Sequence, residues 1–184
     1  MNPKDFRSQL ESIKNLEERN LAFDELSDEE KRREIAYDCL QLTLEGKVKG
    51  RDGCYTNHTL NGYWNDELMR IRTNTPKEFQ EILVNKLPEC TVCARGGLML
   101  SQIRLGNNIS SDTISRYDGY FEDILKGFSM KSFRAMEEEY EDSDHKHPYE
   151  AKTTKKLQNI CLNVIANGDF DIDDKTKYLV DYLN

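Results

Sequence analysis

The stretch from Pro88 to Gly106 is the least polar part of a chain that is otherwise heavily charged. It begins with a proline and ends with a glycine followed by two asparagines, which is a typical boundary pattern for a helix. Apolar side chains fall on nearly every side of its helical projection, as expected for a helix that is buried on most of its surface. An alanine and two adjacent glycines within it allow another backbone to approach closely. We therefore predict a buried central helix over about residues 89–105.

Charge and length limit the kinds of protein this chain can be. Its 184 residues fit one domain, and 26 basic against 34 acidic residues give a net charge of -8. That excess of acid argues against a general nucleic-acid or membrane-surface binder. The N-terminus lacks the apolar core of a secretion signal, and no run approaches the roughly 18 apolar residues of a spanning helix. Five cysteines, an odd number, indicate reduced thiols, so we predict a cytoplasmic protein.

Helical periodicity elsewhere predicts an all-α fold: a single domain, residues 1–184, of seven or eight helices. Ser27-Asp28-Glu29-Glu30 is a capping-box pattern, and the helix it opens should end near Gly46. Thr75-Pro76-Lys77-Glu78 repeats this start pattern with proline at the first helical position. Further helices are predicted over residues 4–22, 120–128, 129–140, 153 or 154 to 167, and 173–183.

Residues 47–74 show no clear periodicity, and a long irregular segment within a compact domain is often functional. Aromatic rings, amides and arginines are concentrated there. Such a mixture suits a nucleotide-like ligand or a protein partner. An ordered loop whose tryptophan fills the core is the competing interpretation. The candidate contacts are Tyr55, His58, Tyr63, Trp64, Arg70 and Arg72.

Cys90-Thr-Val-Cys93 allows three interpretations. The two cysteines can be small buried core residues, half of a zinc site, or a redox pair. A zinc site needs two more ligands, which would come from Cys39, Cys54, His58 or Cys161. A redox pair needs a preceding strand, whereas the sequence predicts a helix before Pro88.

Arg95, in the first turns of the predicted central helix, can either bind a phosphate or pair with an acidic side chain. Two weaker candidates complete the set. A nucleophilic Cys54 or Cys93 would need activation by His58 or His145. His145 and His147, with the aspartates beside them, are either metal ligands or part of a solvated charged segment.

Three segments of the C-terminal half carry a resemblance. Residues 90–103 follow the pattern C-x-x-C-A-x-G-G-L-x-x-S-x-I, residues 128–141 have a Phe-Ser start followed by Glu-Tyr-Glu, and residues 157–170 form an apolar helix pattern ending in Asn-Gly. They are similar to segments of small uncharacterised proteins of bacteriophages and other mobile elements. The resemblance implies a viral or mobile-element origin and names no activity.

We therefore predict a non-enzymatic binding protein of phage or mobile-element origin, without a cofactor, in the cytoplasm of a bacterial host. It would sequester a nucleotide-like ligand or block a host protein, for example one of a defence system. Its size and acidity are also compatible with a homodimer. The alternative is a zinc-stabilised regulatory or structural module organised by Cys90 and Cys93.

Overall fold

A computed structural model describes residues 15–50, 75–85, 87, 90–106, 125, 127–140 and 150–171. These residues are mainly helical, which confirms the predicted all-α class, although they hold six helices rather than seven or eight. The predicted helices at 120–128 and 173–183 fall largely or wholly outside them. In chain order the elements are α1 Leu16–Asp24, α2 Asp28–Leu44, β1 Val48–Gly50, α3 Pro76–Asn85, β2 Cys90–Val92, α4 Ala94–Gly106, α5 Met130–Tyr140 and α6 Glu150–Asn167.

The prediction of a helix over residues 89–105 is wrong at its start. Cys90–Val92 is a strand, β2, and the helix begins only at Ala94. β2 pairs in parallel with β1, with Cys90 opposite Val48 and Val92 opposite Gly50. The threonine and valine between the two cysteines are β-branched, which favours an extended backbone over a helical one. The first residues of the segment predicted to be irregular therefore also belong to a strand.

The prediction that the central helix is buried is confirmed. Ten of the thirteen residues of α4 are buried, and the other three are intermediate. Leu98, Met99 and Ile103 have no exposed surface. Helix α4 packs against the five other described helices and against β2, while α2 and α6 form the most extensive single helix pair. The core is thus arranged around α4.

Local sequence explains both ends of α2. The Ser27 side chain accepts a hydrogen bond from the Glu30 amide, and the Glu30 carboxylate accepts one from the Ser27 amide, so the predicted capping box is confirmed. At the other end Gly46 has a φ of 71°. Its amide bonds to the Thr43 carbonyl and the Lys47 amide to the Leu42 carbonyl, which is the Schellman arrangement.

Helix α6 begins earlier than predicted. We placed its start at Thr153 or Thr154, but it begins at Glu150. Both threonines instead bind β1: the Thr153 Oγ1 donates to the Gly50 carbonyl at 2.5 Å, and the Gly50 amide donates to the Thr154 Oγ1 at 2.8 Å. A threonine hydroxyl that could cap a helix is equally able to serve a neighbouring strand.

The C-terminal end of α6 is held by arginines of α2. The Arg32 Nε donates to the Gly168 carbonyl at 2.5 Å, and Arg33 donates to the Ile165 carbonyl. Cations at this end also interact favourably with the helix dipole. Asn163 fixes the chain beyond the helix, because its side chain bonds to both the amide and the carbonyl of Asp171 at 2.8 Å. Within the described ranges, no helix is both long enough and apolar enough to cross a membrane.

Candidate functional site

The junction between β2 and α4 carries the one predicted contact residue that the structure describes, Arg95. Cys93 lies between the two elements, and its Sγ accepts a hydrogen bond from the Gly96 amide at 3.4 Å. The Cys93 carbonyl accepts another from the Gly97 amide at 3.0 Å. The cysteine therefore takes the position that a serine or aspartate often occupies before a helix.

Arg95 is held by two residues of α5. Its guanidinium forms an ion pair with Glu137 and lies over the ring of Phe133, 5.5 Å from the ring centroid. Phe133 and Glu137 are four residues apart and thus on one face of α5. The Arg95 side chain is 14% exposed and that of Glu137 is 19% exposed. The pairing of Arg95 with an acidic side chain, one of our two interpretations, is therefore present, and its phosphate-binding role stays a prediction.

The other predicted contacts lie outside the described residues. These are Tyr55, His58, Tyr63, Trp64, Arg70 and Arg72. Cys54 and all three histidines of the chain also lie outside the described residues. The suggested cysteine–histidine pairs therefore stay predictions, and so do the suggested metal ligands His145 and His147.

The Cys90-x-x-Cys93 motif has a different backbone from the one we predicted. A strand does precede α4, contrary to our expectation. Cys90 is the first residue of that strand, and Cys93 follows its last residue. An extended backbone separates Cα atoms three residues apart by up to about 10 Å, whereas a disulfide requires less than about 7 Å. Cys93 is buried and is not part of a disulfide. Across the residues with described placement, no group of three or more cysteine, histidine or acidic side chains is suited to hold a metal ion.

Cys39 and Cys161, which the sequence offered as further zinc ligands, lie in the core. Both are fully buried, Cys39 on α2 and Cys161 on α6. A hydrogen bond with Cys161 and burial raise the pKa of the Cys39 thiol well above its ordinary value. A thiol with a raised pKa is a poor nucleophile and a poor metal ligand at neutral pH. These two residues therefore have the environment of structural cysteines.

A charged cleft between α1 and α3 was not predicted from the sequence. Its volume is about 320 Å³, and it is lined by Asn15, Leu16, Glu17, Arg19, Lys77, Glu81, Val84 and Asn85. Two contacts join its helices: the Lys77 Nζ lies 2.7 Å from the Glu17 carboxylate, and the Asn20 and Gln80 amides exchange hydrogen bonds of 2.8 and 2.9 Å. We call this feature the α1–α3 cleft.

Arg19, which lines the α1–α3 cleft, interacts with two residues of other helices, Arg104 and Asp38. Arg104 lies 3.5 Å from Asp38, and the Arg19 guanidinium donates to the Arg104 carbonyl at 2.5 Å. Burial lowers the pKa of Arg19, Asp38 raises it, and Arg104 lowers it again. Arg19 therefore shares the Asp38 counterion with a second cation, Arg104.

The α1–α3 cleft is not predictable from the sequence because no motif joins its two walls. Residues 15–20 and 77–85 are about 60 positions apart, and each segment has the pattern of the charged outer face of an ordinary helix. The only local signal was the alternation of acid and base on both faces, which is usual for solvated helices.

No protein-family model, no curated protein and no solved structure matches this chain.

Proposed function

We propose that this chain is a binding protein that sequesters a nucleotide-like ligand or occupies a host protein without catalysing a reaction. The resemblance of its C-terminal half to phage and mobile-element proteins supports such an origin. The setting would then be the cytoplasm of a bacterial host and the target a host process such as defence. The contacts would come from Tyr55, His58, Tyr63, Trp64, Arg70, Arg72 and Arg95.

The observation that carries this proposal is the fixed position of Arg95. Its guanidinium is held between the Phe133 ring and the Glu137 carboxylate on α5. A side chain that is already ordered loses little conformational freedom when it binds a partner. The Arg95 side chain keeps 14% of its surface exposed, so it is not fully closed off from solvent. Arg95 is thus pre-organised for recognition.

The proposed contacts divide naturally between the parts of a nucleotide. A planar guanidinium matches the geometry of a phosphate group and binds it through paired hydrogen bonds. Aromatic rings such as those of Tyr63 and Trp64 offer faces on which a base can stack. Amide side chains supply donors and acceptors for the base edge. This composition supports a nucleotide-like ligand ahead of a purely apolar one.

A ligand screen tests the small-molecule form of the proposal. Thermal shift and calorimetry would use cyclic nucleotides and ADP-ribose derivatives with the full chain. We expect at least one of these compounds to bind saturably and Trp64→Ala to abolish the binding. Arg95→Lys should weaken it, because lysine lacks the planar guanidinium that forms paired hydrogen bonds with a phosphate. Arg134→Ala is the matched control, since Arg134 is an exposed arginine of α5 that is not among the proposed contacts.

A pull-down from host extract tests the protein form. The captured protein would be purified and its binding measured directly, with Trp64→Ala as the disrupting variant and Arg134→Ala as the control. If no nucleotide binds and no purified host protein binds, the proposal is wrong in both forms.

A further inference from the structure

The α1–α3 cleft suggests a second site, built from residues other than the contacts of the proposed function. We propose that it binds a small zwitterion of the α-amino-acid class, with the ligand carboxylate on Arg19 and the ligand ammonium on Glu81. Three properties of the cleft lead to this ligand class: its size, the balance of its charges and the environment of Arg19.

The size of the cleft restricts the ligand to a small molecule. Its volume of about 320 Å³ lies at the lower end of the range for ligand sites. Among the described lining residues only Leu16 and Val84 are apolar, so they offer little apolar surface to a large hydrophobic ligand. Asn15 and Asn85 add amide donors and acceptors to the walls.

The charges of the lining are balanced, with two cations and two carboxylates. Lys77 and Glu17 already pair at 2.7 Å, and both side chains are more than half exposed. Glu81 acts on Lys77 only through weaker, longer-range attraction, so Arg19 and Glu81 are the two charges with most capacity left for a ligand. A simple anion would meet the repulsion of Glu81, and a simple cation would meet that of Arg19. A ligand that carries both signs satisfies both residues.

The environment of Arg19 supplies the independent evidence. Asp38 is a counterion for both Arg19 and Arg104, so Arg19 does not have this carboxylate to itself. In addition, the buried Arg19 Nε has no hydrogen-bond acceptor among the residues that the structure describes. A buried charged donor without an acceptor costs free energy. A carboxylate bound to this guanidinium would offset that cost with a counterion that Arg19 does not share with Arg104.

The test is calorimetry of the full chain with each of the twenty L-amino acids, followed by the N-acetyl and carboxamide forms of any that binds. We expect saturable binding of at least one amino acid, and about tenfold weaker binding when either its ammonium or its carboxylate is blocked. Glu81→Gln should weaken binding to a similar degree. Glu78→Gln is the matched control, because it lies on the same helix, is exposed, and does not line the cleft.

Two results would overturn the site: no saturable binding of any amino acid at millimolar concentration, or equal binding of the blocked and unblocked forms. Arg19→Gln adds a second test, with its fold checked by circular dichroism because Arg19 also bonds to the end of α4. The outcome is distinguishable from that of the proposed function, because amino-acid binding and nucleotide or host-protein binding are measured separately.

Discussion

Gly97 of α4 lies directly against Cys39 of α2: a Cβ at position 97 would be 3.0 Å from the Cys39 Sγ. The same Cβ would lie 3.3 Å from the Leu157 side chain of α6 and 3.4 Å from that of Val92. Glycine at this position therefore allows α4 to approach the α2–α6 pair and the strand before it. The close packing of α4 against α2 depends on this contact.

Replacing Gly97 with leucine should destabilise the protein severely. The new side chain has no space among fully buried neighbours, and we expect the free energy of unfolding to fall by about 3 kcal/mol or more. Gly96→Ala is the control, because its Cβ would meet ordinary contacts at 3.4 Å and beyond and alanine favours a helix by about 1 kcal/mol. Urea denaturation measures both. Equal midpoints for wild type and Gly97→Leu would show that α4 is not packed as described.

The Arg95–Glu137 pair should stabilise the contact between α4 and α5. Removing one partner leaves a largely buried charge, and we expect Arg95→Ala to cost about 2 kcal/mol, less than for a fully buried pair because both side chains keep some exposure. In a double-mutant cycle with Glu137→Ala, the double variant should cost less than the sum of the single variants. Additive costs would mean that the two residues do not interact.

The thiol of Cys39 should be unreactive in the folded protein. Its raised pKa and its burial leave a smaller thiolate fraction at any given pH than a free cysteine has. We expect iodoacetamide at pH 8 to modify Cys39 only after unfolding in urea, as followed by peptide mass spectrometry. Cys161 should behave in the same way, because it is equally buried. Modification of native Cys39 at the rate of the unfolded chain would contradict this environment.

Zinc should be present at well below one ion per chain in protein purified without chelator. Sulfur ligands of one zinc ion each lie about 2.3 Å from the metal, and the extended backbone of β2 does not favour that approach for Cys90 and Cys93. Elemental analysis decides the question. One zinc per chain, lost together with stability on mutation of Cys93 to serine, would support the alternative of a zinc-stabilised module.

The sequence predicted those features that short-range chemistry determines. The capping box at Ser27, the glycine end at Gly46 and the near-complete burial of α4 follow from side chains within a few residues of one another. The start of α4 was missed because the pairing of Cys90 with Val48 joins positions about 40 residues apart, and no local pattern records it. The start of α6 was missed for a similar reason, since Thr153 bonds to β1 rather than capping its own helix.

Candidate sites were harder to predict because each forms only when residues far apart in the sequence come together in the fold. Arg95 was identified as a recognition residue or an ion-pair partner, but the partner, Glu137, was one of many acidic residues. The α1–α3 cleft depends on Arg19 and Glu81 from separate helices, each of which is unremarkable in its own segment.

Amide hydrogen exchange of α4 tests the central claim most directly, namely that this helix is the buried centre of the domain. The amides of Leu98 to Ile103 should exchange only through global unfolding, with a free energy equal to that from urea denaturation. The amides of α1, where Phe23 is the only buried residue, should exchange faster and serve as the internal reference. Exchange of the α4 amides as fast as those of α1 would contradict the account.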